Sequence, residues 1–501
     1  MPLVRYVLSI DAGTTSIRTM LFSEDGSVLA VSQEPLTQHY PGPGMVENDP
    51  KEIWELCRGT MGDCLSSPGI DPGDCVAFGI TNQRETVIVW DRTTGEPVHN
   101  AIVWQDRRTA DICARMRDAG HSDGILERTG LRIDAYFSGT KVRWILDNVP
   151  GASDAATSGN LLFGTVDTWI MWNLTSGRVH ATDHTNASRT MLFNINTLQW
   201  DDDITDALRI PRSMFPEVHP SGHVFGHVDP SLFGISPPIA GVAGDQQAAL
   251  FGQGCYGRGD VKITFGTGGF MLMNIGDRPR ISSKGLLTTV AWSSSEGAEY
   301  AIEGSIYIAG AVVQWLRDEL GLIEESAETE DMALEVDDTD GCYFVPAFVG
   351  LGAPYWDQNA RGMIMGLTRA TNRCHVARAA LESIAFQAND VIGAMRADSG
   401  MDIRSLKVDG GASANDFLCQ FLADITGVEV ERPVCIESTA LGAAYLAGLT
   451  VGFWSDRSEI GVPVGRRFVP DMFKDERAEK IRGWEHAVRC ARMWSDPGMK
   501  V

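Results

Sequence analysis

The chain has 501 residues, 44% of them hydrophobic and 22% charged, with 42 Lys and Arg against 66 Asp and Glu and a formal net charge of −24. That apolar content excludes disorder as the main state, and a length beyond the roughly 250–300 residues at which single cores stop growing predicts two domains. The acidic balance excludes nucleic-acid binding and docking on an anionic membrane, both of which need a basic footprint.

The N-terminal run Met1-Pro2-Leu3-Val4-Arg5-Tyr6 has no secretory pattern. No uncharged apolar stretch reaches the roughly 18 residues of a spanning helix, so a cytoplasmic protein without an integral membrane segment is expected. Residues 6–10 are β-rich, Asp11-Ala12-Gly13-Thr14-Thr15 is a turn, and 17–22 resumes as a strand. Asp25-Gly26 signals a hairpin into a third strand over 27–32. A helical pattern covers 50–61 and a strand 75–80. The Gly-rich stretch 252–259 predicts a boundary, with domains over 1–253 and 254–501. Residues 261–265 form a strand into Gly266-Thr267-Gly268-Gly269, and 270–274 return as another. Residues 304–316 read as one apolar helix. A strand ends at Gly410-Gly411, Ser413 and Asp416 have capping-box spacing, and Gly427 ends the following helix. Both halves mix strands and helices, so the fold class is α/β; the two Gly/Thr turns, one near each half's start, suggest a duplicated architecture. The ten Cys contain no C-x-x-C pair, which fits a reducing compartment and no zinc site.

Chemistry is concentrated at the turns. Asp11 to Arg18 puts backbone N–H groups and the hydroxyls of Thr14, Thr15 and Ser16 around a tight Gly turn, a concavity suited to phosphate oxygens or an ordinary hairpin turn. Asp11 ends a buried strand, where Mg²⁺ would satisfy its carboxylate. The Thr267 turn can grip the same triphosphate from the opposite domain. Gly310 and Gln314, spaced i, i+4, share a helix face that can receive a nucleoside or serve tight packing. Gly411 and Asn415 lie at a strand–helix corner open to a flat ligand. No G-x-x-x-x-G-K-[ST] string is present, which excludes the P-loop class. On the acceptor side, Arg84 and Glu85 act on one ligand only if the backbone turns between them. Together they can bind vicinal hydroxyls or form an exposed ion pair. Trp104 can wall a pocket or fill the core. Asp245 is either a helix N-cap or a base that takes the proton of an attacking hydroxyl.

These residues together resemble the FGGY carbohydrate kinases. Tyr136-Phe137-Ser138-Gly139-Thr140-Lys141-Val142-Arg143-Trp144 looks like the family's first signature. Gly362-Met363-Ile364-Met365-Gly366-Leu367, continuing through His375 to Glu382, is similar to its second. Asn82-Gln83-Arg84-Glu85-Thr86, Trp104-Gln105-Asp106-Arg107-Arg108, Gly244-Asp245-Gln246-Gln247, Phe344-Val345-Pro346-Ala347-Phe348 and Ala353-Pro354-Tyr355-Trp356 point to the branch that acts on glycerol. The resemblance runs from about residue 5 to Trp494. It implies two RNase H-like domains of the actin and hexokinase type, with the active site in the cleft between them. It implies phosphoryl transfer from ATP to glycerol, giving sn-glycerol 3-phosphate and ADP. By motif position, Arg84, Glu85, Tyr136, Asp245 and Gln246 would bind glycerol, with Trp104 and Phe270 as its apolar wall and Asp245 as general base. Thr14, Thr15, Ser16, Arg18, Thr267, Gly310, Gln314, Gly411 and Asn415 would bind ATP or ADP, and Asp11 with Asp245 would hold Mg²⁺. A homodimer or homotetramer is also implied. Another small polyol or a ketose as acceptor, or a nucleotide-binding regulator without catalysis, are the alternatives. Two departures stand out. Gly269 occupies a position where the resemblance often has Cys. Residues 231–238 carry neither the Gly-rich loop ending in Arg nor the phosphorylatable His through which relatives are regulated.

Overall fold

The structure, a computed structural model, describes residues 4–435 and 437–494. Two mixed sheets organise it. The first contains β1 (Tyr6–Ala12), β2 (Ser16–Ser23), β3 (Val28–Pro35), β4 (Cys75–Asn82), β5 (Gly222–His227) and β6 (Pro238–Gly244), in the order β5-β6-β4-β1-β2-β3. The second contains β7 (Val261–Phe265), β8 (Gly269–Gly276), β9 (Leu287–Ser294), β10 (Gly297–Ile306), β11 (Ser405–Asp409), β12 (Glu429–Pro433) and β13 (Val464–Phe468), in the order β9-β10-β8-β7-β11-β12-β13. Each sheet holds three antiparallel neighbours (β1-β2-β3, and β7-β8-β10, with β9 on the far side of β10) continued by two strands parallel to the first of them (β4 and β6; β11 and β12). The duplication suggested by the two Gly/Thr turns is therefore present as two lobes of the RNase H-like strand order.

The helices that place the site are α1 (Pro50–Leu65), α2 (Ser138–Asn148), α3 (His184–Ala187), α4 (Asp245–Gly252), α5 (Gly310–Asp318), α6 (Glu328–Leu334), α7 (Arg373–Ser399), α8 (Asp416–Thr426), α9 (Ser438–Thr450) and α10 (Lys474–Trp494). α1 starts where Pro50 follows the Asp49 cap, whose side chain accepts from Lys51 N. Its Ile53, Cys57, Met61 and Cys64 form one buried stripe at helical spacing. β1 is buried along nearly its whole length because both faces of the sheet are covered, so it reads as a continuous apolar run.

α9 packs on the first lobe's sheet although it follows β12 in sequence. A Cβ on Gly79 of β4 would lie 2.5 Å from Ala443 O, and one on Gly241 of β6 would lie 2.3 Å from Ala447 N. Backbone meets backbone there. The same helix crosses α4 closely: a Cβ on Gly442 would lie 1.8 Å from Ala248 O.

Two expectations need correction. Residues 304–316 are not one helix: β10 runs to Ile306, and α5 begins only at Gly310. Pairing of residues 304–306 with β8 overrides the apolar pattern. The capping-box spacing of Ser413 and Asp416 does not cap a helix either. Ser413 lies in a short 3₁₀ turn and donates to Gly410 O at 2.6 Å, while Asn415 caps α8 by accepting from Leu418 N at 2.8 Å. Gly427 does end α8, in the left-handed conformation. Among the described residues no helix is long and apolar enough to cross a membrane.

Candidate active site

The first Gly/Thr turn joins β1 to β2. Gly13 N donates to Ser16 O at 3.0 Å, which closes the turn. Thr15 is exposed at its tip, and Thr14 and Ser16 are half-buried. Thr14 Oγ1 lies 3.0 Å from Trp104 Nε1, and Ser16 Oγ lies 3.0 Å from Gln33 Nε2. Arg18, opposite Asp11 in the ladder, pairs with Glu437 and donates to Gln33 Oε1 at 3.0 Å. It thus braces the turn's base from β2. Burial, with Asp245 nearby and Arg18 opposing, pushes the Asp11 carboxyl up to about 7.

The second turn joins β7 to β8 and is bound to the start of α5. Gly310 N donates to Gly266 O at 2.9 Å and Ala311 N to Thr267 O at 3.1 Å. A Cβ on Gly310 would sit 2.7 Å from Gly266 O, so only Gly lets the helix start against the turn. Gln314 is exposed one helical turn further on. Gly410, at φ 82°, packs against Phe265, where a Cβ would meet the carbonyl oxygen at 2.5 Å. Gly411 beside it has nothing within 4 Å of its would-be Cβ and leaves an open face. Thr267, Gly310 and Gly411 are therefore brought together at the ends of β7 and β11. Asn415 spends its carbonyl on the α8 cap and donates to Thr329 Oγ1 of α6 at 3.3 Å. Gly269, at the Cys position of the resemblance, leaves space that Ile306 fills: a Cβ would lie 2.7 Å from Ile306 Cγ1.

The acceptor candidates converge on the first lobe. β4 ends at Asn82, and Glu85 has φ 64°, so the chain turns there as the shared-ligand reading requires. Gly244 caps α4 and Asp245 is its first residue, which settles the N-cap alternative against Asp245. A Cβ on Gly244 would lie 2.7 Å from Arg84 Cγ, so the arginine lies directly over the strand end. Arg84 Nε is 3.0 Å from Asp245 Oδ1, and that oxygen also accepts from Gln246 N at 2.7 Å. Arg84 Nη1 and Nη2 donate to the Glu303 oxygens at 2.5 and 3.1 Å. Glu85 Oε1 accepts from Arg189 Nε at 2.6 Å. Trp104 packs edge-on against Tyr136 at 5.6 Å and Phe270 at 6.1 Å, which makes an apolar wall with one member from the second lobe. Gln246 is buried and its side-chain oxygen accepts from Lys262 of β7.

Glu303, Arg189 and Lys262 touch this cluster and were not singled out from sequence. The signal for Glu303 and Lys262 is a charged residue inside an apolar strand, as in Ala301-Ile302-Glu303 and Val261-Lys262-Ile263, which is costly unless paired, whereas Arg189 stands in the polar turn Ser188-Arg189-Thr190 and carries no such mark. Burial raises the Glu85 carboxyl against the pull of Arg189 and Arg84. Burial pushes Glu303 the same way, but Arg189 and Arg84 together outweigh it and hold the carboxyl below its ordinary value. Burial brings Lys262 down to about 8, opposed by Asp409 and Asp245.

Two family models match the chain. The N-terminal domain of the FGGY family of carbohydrate kinases matches residues 6–252, and the C-terminal domain matches residues 261–451. A glycerol kinase of Carboxydothermus hydrogenoformans is 57% identical over 98% of this chain and 99% of its own. Glycerol kinase 2 of Thermotoga maritima is 57% identical over the same shares. Among solved structures, Plasmodium falciparum glycerol kinase with ADP is 36% identical, with a TM-score of 0.91 over 97% of this chain and 98% of that one. A xylulose kinase of Lactobacillus acidophilus, 24% identical at a TM-score of 0.87, shares the fold. With paired Gly/Thr turns facing an arginine–carboxylate cluster, and both domain models matched in order, the chain belongs to the FGGY family of carbohydrate kinases.

Proposed function

We propose that this chain is an ATP-dependent glycerol kinase, transferring the γ-phosphoryl group of ATP to a terminal hydroxyl of glycerol to give sn-glycerol 3-phosphate and ADP. The observation that carries the reading is the Asp245 carboxylate, held by Arg84 Nε on one oxygen, together with an apolar wall built by Trp104, Tyr136 and Phe270. The wall fits a three-carbon chain. Arg84 and Glu85 supply a donor and an acceptor for vicinal hydroxyls.

Asp245 divides its work between its oxygens. Oδ1 is occupied by Arg84 Nε and Gln246 N, and among the described residues no hydrogen bond uses Oδ2. Oδ2 takes the proton of the attacking hydroxyl. As that O–H bond breaks, the acceptor oxygen bonds to the γ-phosphorus, the bond to the β-phosphate oxygen breaks, and ADP leaves with the electron pair. Orientation and charge neutralisation carry most of such a transfer. The N–H groups and hydroxyls at Thr14, Thr15, Ser16 and Thr267 face the phosphates. Gly310, Gln314, Gly411 and Asn415 border the nucleoside, and Arg18 holds the first turn in shape.

Asp11 fits a hydrated Mg²⁺: its carboxyl is pushed up by burial and by the neighbouring Asp245, a repulsion that a divalent cation relieves. Asp11 and Asp245 would hold the ion, which when bound neutralises charge on the triphosphate. The domains divide at residues 253 and 254, and the assembly is a homodimer or homotetramer, to be measured by light scattering.

A coupled ADP-release assay across glycerol, dihydroxyacetone, xylulose and erythritol tests the acceptor. Glycerol is expected to give the highest kcat/KM. Preference for a ketose or tetritol would move the assignment to another polyol, and acceptor-independent silence would leave a nucleotide-binding regulator.

A further inference from the structure

Arg84 and Glu85 are adjacent in sequence, yet each is gripped by a different buried partner. Arg84 is gripped by Glu303, which stands on β10 of the second lobe and is 0% exposed. Glu85 is gripped by Arg189, just beyond α3, also 0% exposed. Arg189 Nη2 then donates to Glu303 Oε1 at 3.1 Å. The result is one alternating line of charge, Asp245, Arg84, Glu303, Arg189, Glu85, in which each guanidinium touches two carboxylates. The Arg189 guanidinium also lies over the Tyr136 ring at 5.7 Å and the Phe137 ring at 5.5 Å.

We infer that Glu303 is a positioning residue for the acceptor: from the second lobe it fixes the Arg84 guanidinium directly and the Glu85 carboxylate through Arg189. The acceptor site is then complete only with both lobes in place, although its charged ligands stand on the first. The inference rests on the glycerol kinase reading.

Stability alone is a poor account of this arrangement. A buried ion pair is often no more stabilising than apolar residues of the same volume. Arg189 Nη1 lacks a hydrogen-bond partner among the described residues, which adds a further cost. What the line does provide is direction. Both ends of the Arg84 fork are bound, Nη1 and Nη2 to Glu303 and Nε to Asp245, so the guanidinium cannot rotate. Without Glu303 the fork is free to turn both arms onto Asp245 and occupy the oxygen that receives the proton. Arg189, with its Nη2 released, would at the same time be free to turn further onto Glu85 and draw it off the acceptor.

The test uses the full-length enzyme, with Glu303→Gln and Arg189→Lys made separately and together. Both variants keep a polar side chain of nearly the same length. Steady-state kinetics are measured with glycerol and ATP varied in turn, and glycerol binding is measured by titration calorimetry in the absence of nucleotide. The expected result is a glycerol KM raised tenfold or more, kcat lowered, and an ATP KM within twofold of the wild type. The double variant should cost less than the product of the single effects, because both act on one line of contacts. Equal loss for both substrates, or an unchanged glycerol KM, overturns the inference. Where Glu303→Gln does not fold, the same readouts on Arg189→Lys decide it. A wild-type enzyme that does not use glycerol defeats the functional reading itself. A wild type that uses glycerol, with variants that behave like it, defeats only this inference.

Discussion

On the proposed reading, Asp245 is where the chemistry narrows to a single atom. Its Oδ1 is committed to Arg84 Nε at 3.0 Å and Gln246 N at 2.7 Å, so the proposed proton transfer would fall to Oδ2. Asp245→Asn keeps the volume and an acceptor but removes the basicity. It should lower kcat by about 10²–10⁴-fold, the usual worth of a general base, while ADP affinity by calorimetry stays within about twofold. Near-normal turnover in that variant would remove Asp245 from the role of base. The same scale explains why Glu85 was readable from sequence only as a condition: an Arg-Glu pair at a strand end serves one ligand if the chain turns, and φ 64° at Glu85 is that turn.

At the scale of elements, the crossing of α4 and α9 sets where Asp245 stands, because α4 begins at that residue. A methyl group on Gly442 would sit 1.8 Å from Ala248 O, and a backbone oxygen has no rotamer by which to move away. Gly442→Ala should therefore destabilise the protein by ~3 kcal/mol, the upper range of overpacking, and reduce kcat by displacing α4. Gly59→Ala, on the exposed face of α1, meets nothing within 4 Å and should instead stabilise by about 0.5–1 kcal/mol, both read from melting curves. A second element contact responds to pH. Asp390 of α7 accepts from Trp484 Nε1 of α10 at 2.7 Å and from Tyr355 Oη at 2.9 Å. Burial pushes its carboxyl from 3.8 up to about 7. Between those values the unfolded chain gives up a proton that the folded chain keeps. Its share of stability is thus present below 3.8 and lost as pH rises toward 7. Asp390→Asn, which still accepts both hydrogen bonds, should match the wild type near pH 4. It should be more stable by on the order of 1–3 kcal/mol at pH 8. A variant less stable than the wild type at pH 8 would show that the folded protein favours the charged Asp390 carboxylate, against the upward shift.

For the molecule as a whole, the lobes share more than a cleft. α9 comes late in the chain and covers the first sheet, with Tyr445 and Leu446 in one buried cluster with Val7, Phe22, Ala77 and Ala243. Residues 1–253 expressed alone should lack this cover, expose an apolar sheet face and aggregate. Adding residues 254–501 as a second chain should restore solubility. A monomeric fragment with a cooperative melt would show that the first lobe closes its own core. Glu303 makes the same point at the site, since a second-lobe carboxylate holds a first-lobe arginine.

Much was legible in the chain itself. The strands around both Gly/Thr turns, the Asp25-Gly26 hairpin, α1 and the Gly427 stop follow from local rules: period, turn chemistry and caps. The acceptor and phosphate candidates stand out in the chain because they lie at strand ends where turn residues mark them. Local rules failed where a distant partner decides. Residues 304–306 extend a strand because β8 pairs with them, and α8 takes Asn415 rather than Ser413 as its cap once the 3₁₀ turn forms. The partners of Arg84 and Glu85 lie 219 and 104 residues away, and α9 crosses back onto the first sheet. Propensity and spacing reach only a few residues along the chain. Which buried charges neutralise one another, and which glycines make room for another backbone, is settled by contacts that exist only after both lobes have packed.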